Sequence, residues 1–251
     1  MKNYKFLKIS KTKKLRYLNN NIDKDICIIF LHGFASDLEG KKPLTLSKFS
    51  KKNKVGFLAV EYSGHGKSTG KFVNGNISSW TQDVTKIIRK KCRSKKIILV
   101  GSSMGAWISI NLFKYFEKKI VGLVGIGSAP EFLQRLMWNK FAKNIKNEIL
   151  RKGYTNIQHG EYQYVISKQL IKDGLKNKVL SKKLKSKIFV TMIHGNKDEV
   201  VPVSFSKKVL KIFPKSKKKL KIIKNGDHSL SSDKNLKNIL SEIKYILNKI
   251  S

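Results

Sequence analysis

The chain has 251 residues, 40% of them hydrophobic and 28% charged, a balance that fits one large α/β domain and excludes a disordered or fibrous protein. Its formal net charge of +38 comes mainly from lysine, and the five arginines are Arg16, Arg89, Arg93, Arg135 and Arg151. Because reading of bases favours the bidentate guanidinium group, we expect a uniformly basic surface and no specific nucleic-acid partner. The alternative is that the positive charge of the protein attracts anionic substrates, membrane surfaces or nucleic acid.

The cysteine content and the apolar runs indicate where the protein resides. Cys27 and Cys92 are the only cysteines, and they form no CxxC pair, which is typical of a reducing compartment. Residues 1–6 lack the apolar region of a secretory signal, and no apolar run approaches the ~20 residues of a membrane span. We therefore expect a soluble, cytoplasmic protein without a transmembrane segment, and the oligomeric state stays open.

Strand and helix patterns alternate along most of the chain. Two weakly alternating segments, which could form a hairpin, precede six continuously apolar runs of the kind expected for strands buried on both faces. The predicted strands are residues 4–9, 14–18, 26–31, 55–60, 97–100, 121–126, 188–193 and 220–223. The predicted helices are residues 43–51, 79–91, 104–116, 205–213 and 235–247. This alternation predicts an α/β fold with a mainly parallel central sheet flanked by helices.

Residues 131–184 interrupt the alternation. They contain no convincing buried strand and are typical of two or three amphipathic helices, including residues 132–150 and 162–175. An insertion between strands of an α/β fold is a candidate lid. We therefore expect one domain, residues 1–251, with a small helical cap inserted late in the sheet. The candidate residues for an acyl pocket in this cap are Phe132, Leu133, Met137 and Trp138. The alternative is that these residues belong to a helix that simply covers the sheet.

The motif Gly101-Ser102-Ser103-Met104-Gly105 lies between a predicted strand and a predicted helix. A serine at the tip of such a turn takes a strained backbone conformation, and side chains two residues before and after it would collide. The helix N-terminus also places N–H groups and the positive end of a dipole beside the serine. Ser103 is therefore the candidate nucleophile, although a glycine- and serine-rich connecting loop would show the same letters.

Three further segments follow predicted strands. His32-Gly33-Phe34 comes after an early strand, where the N–H of Phe34 could form an oxyanion hole with the N–H of Met104. We expect His32 itself to be structural. Asp198, with Glu199 as the second choice, follows a late strand, and His228 follows the last one. The order serine, aspartate, histidine is that of the α/β-hydrolase triad.

Together these motifs resemble the α/β-hydrolase superfamily over nearly the whole chain. The loop of residues 61–68 also matches. The chain is most similar to the mitochondrial branch of palmitoyl-protein thioesterases that also cleave acyl glucuronides, through residues 31–34, 62–68, 100–107, 194–202 and 227–228. This resemblance implies deacylation of S-acyl proteins or esters, with Ser103, Asp198 and His228 in the roles given above.

The leading hypothesis is a serine hydrolase that cleaves a carboxylic ester or thioester through an acyl-enzyme. Its substrate is a small molecule or an acylated protein. An amide or peptide hydrolase with the same triad is the alternative, and a silent polyanion-binding module is a remote one. We expect no cofactor and no metal, since the five histidines show no paired spacing and Gly66-Lys67-Ser68 lacks the context of a phosphate-binding loop.

Overall fold

The structure, a computed structural model, describes residues 4–20, 23–159 and 162–250, which contain ten strands and seven α-helices. Residues 1–6 were considered above as a possible secretory signal, and residues 1–3 of them lie outside this described part. The strands are β1 (Tyr4–Lys8), β2 (Lys14–Asn20), β3 (Ile26–Leu31), β4 (Gly56–Val60), β5 (Lys96–Ser102), β6 (Ile120–Ile126), β7 (Tyr154–His159), β8 (Tyr162–Ser167), β9 (Phe189–Gly195) and β10 (Lys217–Ile223). The α-helices are α1 (Lys41–Lys52), α2 (Ile77–Lys91), α3 (Met104–Phe116), α4 (Lys143–Lys152), α5 (Lys168–Lys176), α6 (Ser204–Ile212) and α7 (Asp233–Ile250).

Eight strands form the central sheet in the order β1-β2-β4-β3-β5-β6-β9-β10. The strands from β4 to β10 in this order run parallel to one another, and β2 is antiparallel to both of its neighbours. The predicted α/β-hydrolase architecture, a mainly parallel sheet flanked by helices, is therefore confirmed. The continuously apolar sequence of β3 matches its complete burial, because helices cover both faces of the sheet.

Two apolar cores lie on the two faces of the sheet. One contains Trp80 of α2, Trp107 of α3 and Val209 of α6. The other contains Leu46 of α1 and Ile239 of α7. The nucleophile motif connects the end of β5 to the start of α3. The candidate site therefore lies at the edge of the sheet where β5 ends.

The last strand is longer than its apolar residues predict. We expected residues 220–223, whereas β10 begins at Lys217 and has three exposed lysines at its start. These residues pair with β9 through the backbone, and no further strand within the described residues covers the other side of β10. Lysine side chains on a sheet edge discourage pairing with another chain, which explains why this part of the strand lacks an apolar pattern.

The segment between β6 and β9 contains strands that we did not predict. The expectation of a purely helical cap is wrong, because β7 and β8 form an antiparallel hairpin and residues 162–167 are strand rather than helix. Thr155 and Ile166 face each other in this hairpin and both are buried. Among residues 154–158 only Thr155 and Ile157 are buried or half-buried, and in β8 the apolar run is just Tyr164-Val165-Ile166, so neither strand shows the long apolar run of a buried strand.

The predicted helix of residues 132–150 is also interrupted. A π-helical turn (Leu133–Met137) and a short 3-10 turn (Trp138–Lys140) precede α4, which begins only at Lys143. Ala142 at the start of α4 is extended. The apolar residues on both sides of this break, Leu133 before it and Ile149 in α4, belong to the same core.

Within the described residues, no helix combines the length and the apolar character needed to cross a membrane.

Candidate active site

The candidate site lies where the strand order reverses. The chain passes from β3 to β4 on one side and from β5 to β6 on the other, while β3 and β5 are neighbours. The loops after these two strands therefore diverge and leave a crevice at the carboxyl edge, which is where α/β proteins bind ligands. His32-Gly33-Phe34 and Ser102-Ser103 lie in these loops.

The backbone of the nucleophile motif is strained at Ser103. Its φ of 52° and ψ of −116° are rare for a residue with a side chain. A Cβ atom on Gly101 would lie 2.5 Å from the backbone N of Ala106, and one on Gly105 would collide with the carbonyl of Leu31. The two glycines thus allow α3 to pass directly against β5 and β3, which leaves the Ser103 side chain at the tip of the turn.

Ser103, His228 and Asp198 form a connected chain of hydrogen bonds. His228 Nε2 lies 3.1 Å from Ser103 Oγ, and His228 Nδ1 lies 2.7 Å from Asp198 Oδ2. These contacts favour the tautomer in which Nδ1–H donates to the carboxylate and Nε2 accepts from the serine. Glu199, the second choice for the acid, is exposed. The structure therefore brings Asp198, and not Glu199, to the imidazole.

The Asp198 carboxylate is held as an anion by several donors. Oδ1 accepts the N–H groups of Val200 and Val201, at 3.0 and 2.8 Å. Oδ2 lies 3.0 Å from Nε2 of His194, a buried histidine that we did not assign to the site. Burial alone would raise the pKa of Asp198, but the hydrogen bonds from His194 and His228 outweigh it and lower the pKa well below its usual range.

Backbone from a neighbouring strand supports the imidazole. Gly127, directly after β6, has a φ of 52°, and a Cβ atom there would lie 3.0 Å from His228 O and 3.2 Å from Nδ1. The close approach therefore requires glycine both for its conformation and for the space. Gly127 carries no chemical group, so only the position after a predicted strand could have indicated it.

The loop after β3 packs against the nucleophile. A Cβ atom on Gly33 would lie 3.4 Å from Ser103 Cβ, which brings the next residue, Phe34, to the crevice. Met104 is the first residue of α3, so its N–H is among those without a partner inside the helix. The assignment of these two amides to an oxyanion hole stays a prediction.

His32, which we expected to be structural, is only 1% exposed. Its ring lies 4.1 Å from the Tyr62 ring and 5.1 Å from the His65 ring, measured between centroids. Burial lowers the pKa of His32 well below its usual range, with the neighbouring His65 as a further cause. It packs within an aromatic layer, where burial favours the neutral imidazole.

The Gly66-Lys67-Ser68 segment binds a carboxylate of the chain itself. The N–H groups of Lys67 and Ser68 donate to Glu61 Oε2 at 2.7 and 3.0 Å. Glu61 is fully buried and also pairs with Arg16. The donors that resembled part of a phosphate-binding loop are therefore occupied by Glu61.

Aromatic rings from the cap surround Phe34. The Phe132 and Tyr164 rings lie 5.3 and 5.6 Å from the Phe34 ring, and the Phe72 ring lies 5.0 Å from it. We call these four residues the aromatic cluster. Tyr164 and Phe72 were missed in the sequence, because Tyr164 lies in a strand assigned to a helix and Phe72 in a loop.

The other candidate pocket residues have different neighbours. Leu133 packs under α5, since a Cβ atom on Gly174 would lie 3.2 Å from it. Trp138 lies 5.9 Å from the ammonium of Lys146 on α4, measured to the ring centroid. Met137 is partly buried against the same core. Of the four predicted pocket residues, the structure thus brings Phe132 to the loop beside the nucleophile.

Known proteins share both the sequence and the fold. The family model described as serine aminopeptidase, S33, matches residues 23–187. Mitochondrial palmitoyl-protein thioesterase ABHD10 of Rattus norvegicus is 30% identical over 178 residues, which cover 70% of this chain and 59% of the relative. The Bos taurus protein of the same name is 31% identical over 185 residues, covering 72% and 60%. The chain thus spans about 60% of the length of these curated relatives.

Solved structures match over the whole chain. Mouse alpha/beta hydrolase domain-containing protein 10 superimposes with a TM-score of 0.87 and 25% identity, covering 99% of this chain and all of that one. Est1E from Butyrivibrio proteoclasticus with ferulic acid bound has a TM-score of 0.79 and 21% identity, covers 98% of each chain, and supports the fold alone. The chain therefore belongs to the α/β-hydrolase superfamily, in the family described as serine aminopeptidase, S33.

Proposed function

We propose that this chain hydrolyses carboxylic esters or thioesters through an acyl-enzyme formed on Ser103. The observation that carries the proposal is the hydrogen-bonded chain from Ser103 Oγ through His228 to Asp198, with distances of 3.1 and 2.7 Å. The curated rat and bovine relatives are named palmitoyl-protein thioesterases, which supports an acyl ester or thioester as the substrate class. A small-molecule ester and an acylated protein both belong to this class.

The first half of the reaction transfers the acyl group to the enzyme. Ser103 Oγ attacks the carbonyl carbon while His228 Nε2 takes the hydroxyl proton. Asp198 holds the imidazole in the tautomer that can accept this proton and stabilises the imidazolium that forms. The carbonyl oxygen becomes an oxyanion, for which the N–H groups of Phe34 and Met104 are the proposed donors. Loss of one such donor typically costs roughly 3 kcal/mol of barrier.

The second half releases both products. The imidazolium of His228 gives its proton to the leaving alcohol or thiol as the bond to the carbonyl carbon breaks. A water molecule then attacks the acyl carbon and gives a proton to His228, and the carboxylic acid leaves as Ser103 recovers its proton. No cofactor enters these steps.

The aromatic cluster is the proposed acyl pocket. It includes Phe34, from the loop beside the nucleophile, and combines rings from the cap with rings from loops at the sheet edge. Each methylene of an acyl chain buried there adds about 0.8 kcal/mol of binding. We therefore propose that medium or long acyl chains are preferred over acetyl.

Amide or peptide hydrolysis is the second candidate. The description of the matched family as a serine aminopeptidase favours it. The same three side chains can cleave an amide, because His228 would protonate the leaving amine in place of an alcohol. The two functions differ in the leaving group and not in the nucleophile.

A labelling experiment combined with a substrate panel tests both candidates. A fluorophosphonate probe should label the wild type and not Ser103→Ala, while Ser241→Ala on the exposed face of α7 should label normally. The panel combines acetyl, octanoyl and palmitoyl groups with thioester, ester and amide leaving groups. Faster turnover of octanoyl or palmitoyl thioesters and esters supports the proposal. Faster turnover of the amides favours the second candidate, and no labelling of Ser103 rejects both.

The compartment is part of the proposal. Cys27 and Cys92 are buried free thiols, and we propose that the protein resides in the reducing cytoplasm. The curated relatives are named as mitochondrial. Cell fractionation followed by immunodetection distinguishes the two compartments, and recovery in an organelle fraction would reject the cytoplasmic assignment.

A further inference from the structure

A cavity of about 240 Å³ adjoins the nucleophile motif on the α1 and α7 side of the sheet. Its walls include Gly33, Ser102 and Ser229, which directly follow or precede His32, Ser103 and His228. Phe30, which also lines it, belongs to the core under α1 and α7, whereas Phe132 of the aromatic cluster belongs to the other core. The residues that line the cavity and those of the aromatic cluster therefore include members of the two different cores, which lie on the two faces of the sheet.

This position suits the group that leaves. His228 must deliver its proton to the leaving atom, so the leaving group lies on the His228 side of the carbonyl carbon. Ser229 and Ser231, from the loop that carries His228, both line the cavity. If the acyl chain occupies the aromatic cluster, the leaving group faces the cavity.

Lys41 and Lys42 of α1 both line this cavity, as does Asp37, and Lys42 is the more buried of the two cations. Its Nζ donates to Ser231 Oγ at 2.9 Å. Among the described residues, no carboxylate forms an ion pair with it, and the exposed Asp227 acts on it only across space. Burial lowers the pKa of Lys42 to about 8. A partly desolvated ammonium with one hydrogen bond still has two donors to offer.

Lys42 differs in this respect from the other lysines of α1. Lys41 is 67% exposed and lies 3.8 Å from Asp233, and Lys48 is exposed. Lys41 also lines the cavity, but its ammonium is exposed and lies near Asp233, so salt screens its attraction for an anion. A cation that is partly buried without a carboxylate partner costs stability, and an anionic ligand removes that cost.

We propose that this cavity is a leaving-group subsite in which the Lys42 ammonium binds an anionic group, a carboxylate or a phosphate, on the alcohol or thiol that is released. The proposal rests on the proposed hydrolase function and adds a specificity-determining residue to it. Lys42 contacts the released group at a distance from the reacting carbonyl, so it selects between substrates and takes no part in the chemistry.

Three octanoyl esters test the proposal. The leaving alcohols are 3-hydroxypropanoate, its neutral amide and ethylene glycol monophosphate. We expect the wild type to have a kcat/KM about tenfold higher for at least one anionic ester than for the amide. Lys42→Gln should bring this ratio close to one and Lys42→Arg should retain part of it. Lys48→Gln, which removes the same charge from an exposed position of α1, should keep the wild-type ratio.

The ratio of kcat/KM for the anionic and neutral esters distinguishes failure of the subsite proposal from failure of the proposed hydrolase function. Hydrolysis of the neutral ester with a wild-type ratio of one overturns the subsite and leaves the hydrolase function standing. An unchanged ratio in Lys42→Gln also overturns it. If no ester is hydrolysed, the hydrolase function fails instead.

The thermal unfolding temperature of the wild type gives a second test. This test does not depend on turnover, and it does not require that a variant folds. In the wild type, 3-hydroxypropanoate should raise Tm more than its neutral amide does, because only the acid pairs with Lys42. Equal shifts overturn the subsite. A structural role for Lys42 would lower Tm in Lys42→Gln and leave the ester ratio unchanged, and this pattern also counts against the proposal.

Discussion

The sheet edge and the cap meet at Phe34, but they are held in different ways. At the sheet edge, backbone atoms hold the reactive residue: Ser103 N donates to Ile126 O, and Ala129 N donates to Ser103 O, at 2.8 and 3.2 Å. Besides its apolar packing, the cap makes its polar contacts mainly through side chains, such as Asp173, which accepts from Ser78. This difference implies that changes at the sheet edge affect the rate for every substrate, whereas changes in the cap affect the choice of substrate.

Glu131 is the clearest side-chain anchor of the cap. It is buried, has a φ of 59°, and its Oε1 accepts the N–H groups of Val179 and Leu180 at 2.9 and 2.8 Å. Oε2 pairs with Arg135. The carboxylate thus joins the first and last parts of the insertion, and no backbone pairing of that kind replaces it among the described residues.

The largest expected effect is that of Ser103→Ala. Removal of the attacking hydroxyl should lower kcat by roughly four orders of magnitude or more for all substrates. Tm should stay close to that of the wild type, because the deleted oxygen is at the tip of the turn. Steady-state kinetics and circular dichroism check both parts. Retention of more than a few per cent of the rate would show that Ser103 is not the nucleophile.

Asp198→Asn should have the next largest effect. An amide in place of the carboxylate favours the wrong tautomer of His228, so kcat should fall by up to roughly four orders of magnitude. Glu199→Gln, on the exposed neighbouring residue, is the control and should change little. If the two variants exchanged these outcomes, Glu199 would be the acid. Both can be measured with one short-chain ester.

A smaller and more selective effect is expected from Glu131→Gln. The amide oxygen can still accept both N–H groups, but an amide NH2 replaces Oε2 and the charge that pairs with Arg135 is lost, so the cap should loosen. We expect the ratio of octanoyl to acetyl kcat/KM to fall about threefold to tenfold, with the acetyl rate nearly unchanged. Glu148→Gln, in the cap but away from the aromatic cluster, should keep the wild-type ratio. An equal loss for both chain lengths would contradict the division between sheet edge and cap.

The smallest effect concerns acid stability. The pKa of Glu131 is lowered: burial acts in the opposite direction, but the N–H groups of Leu180 and Val179 and the charge of Arg135 prevail. A lowered pKa means that the carboxylate stabilises the fold above its unfolded value of about 4.3 and loses this contribution as the pH falls below it. Urea unfolding should therefore show wild type and Glu131→Gln differing by about 1 kcal/mol at pH 7 and converging near pH 3. A constant difference at both pH values would contradict this account.

The sheet was predictable because burial on both faces leaves continuous apolar runs, as in β3. The cap hairpin was not, because a strand with one buried face has only a weak alternation, and Tyr164 was lost with it. The nucleophile motif and the order of Ser103, Asp198 and His228 suggested the candidate site before any coordinates. Lys42 could not be found in this way, since only the fold distinguishes one half-buried lysine from the exposed ones beside it.

The positive φ of Ser103 has a consequence for the design of stable variants. A residue with a side chain costs about 1–3 kcal/mol in this conformation, whereas glycine adopts it freely. Ser103→Gly should therefore be inactive and yet unfold at a higher temperature than the wild type. Selection of this protein for heat resistance alone would favour loss of the reactive hydroxyl, so any such selection must include turnover as a second criterion.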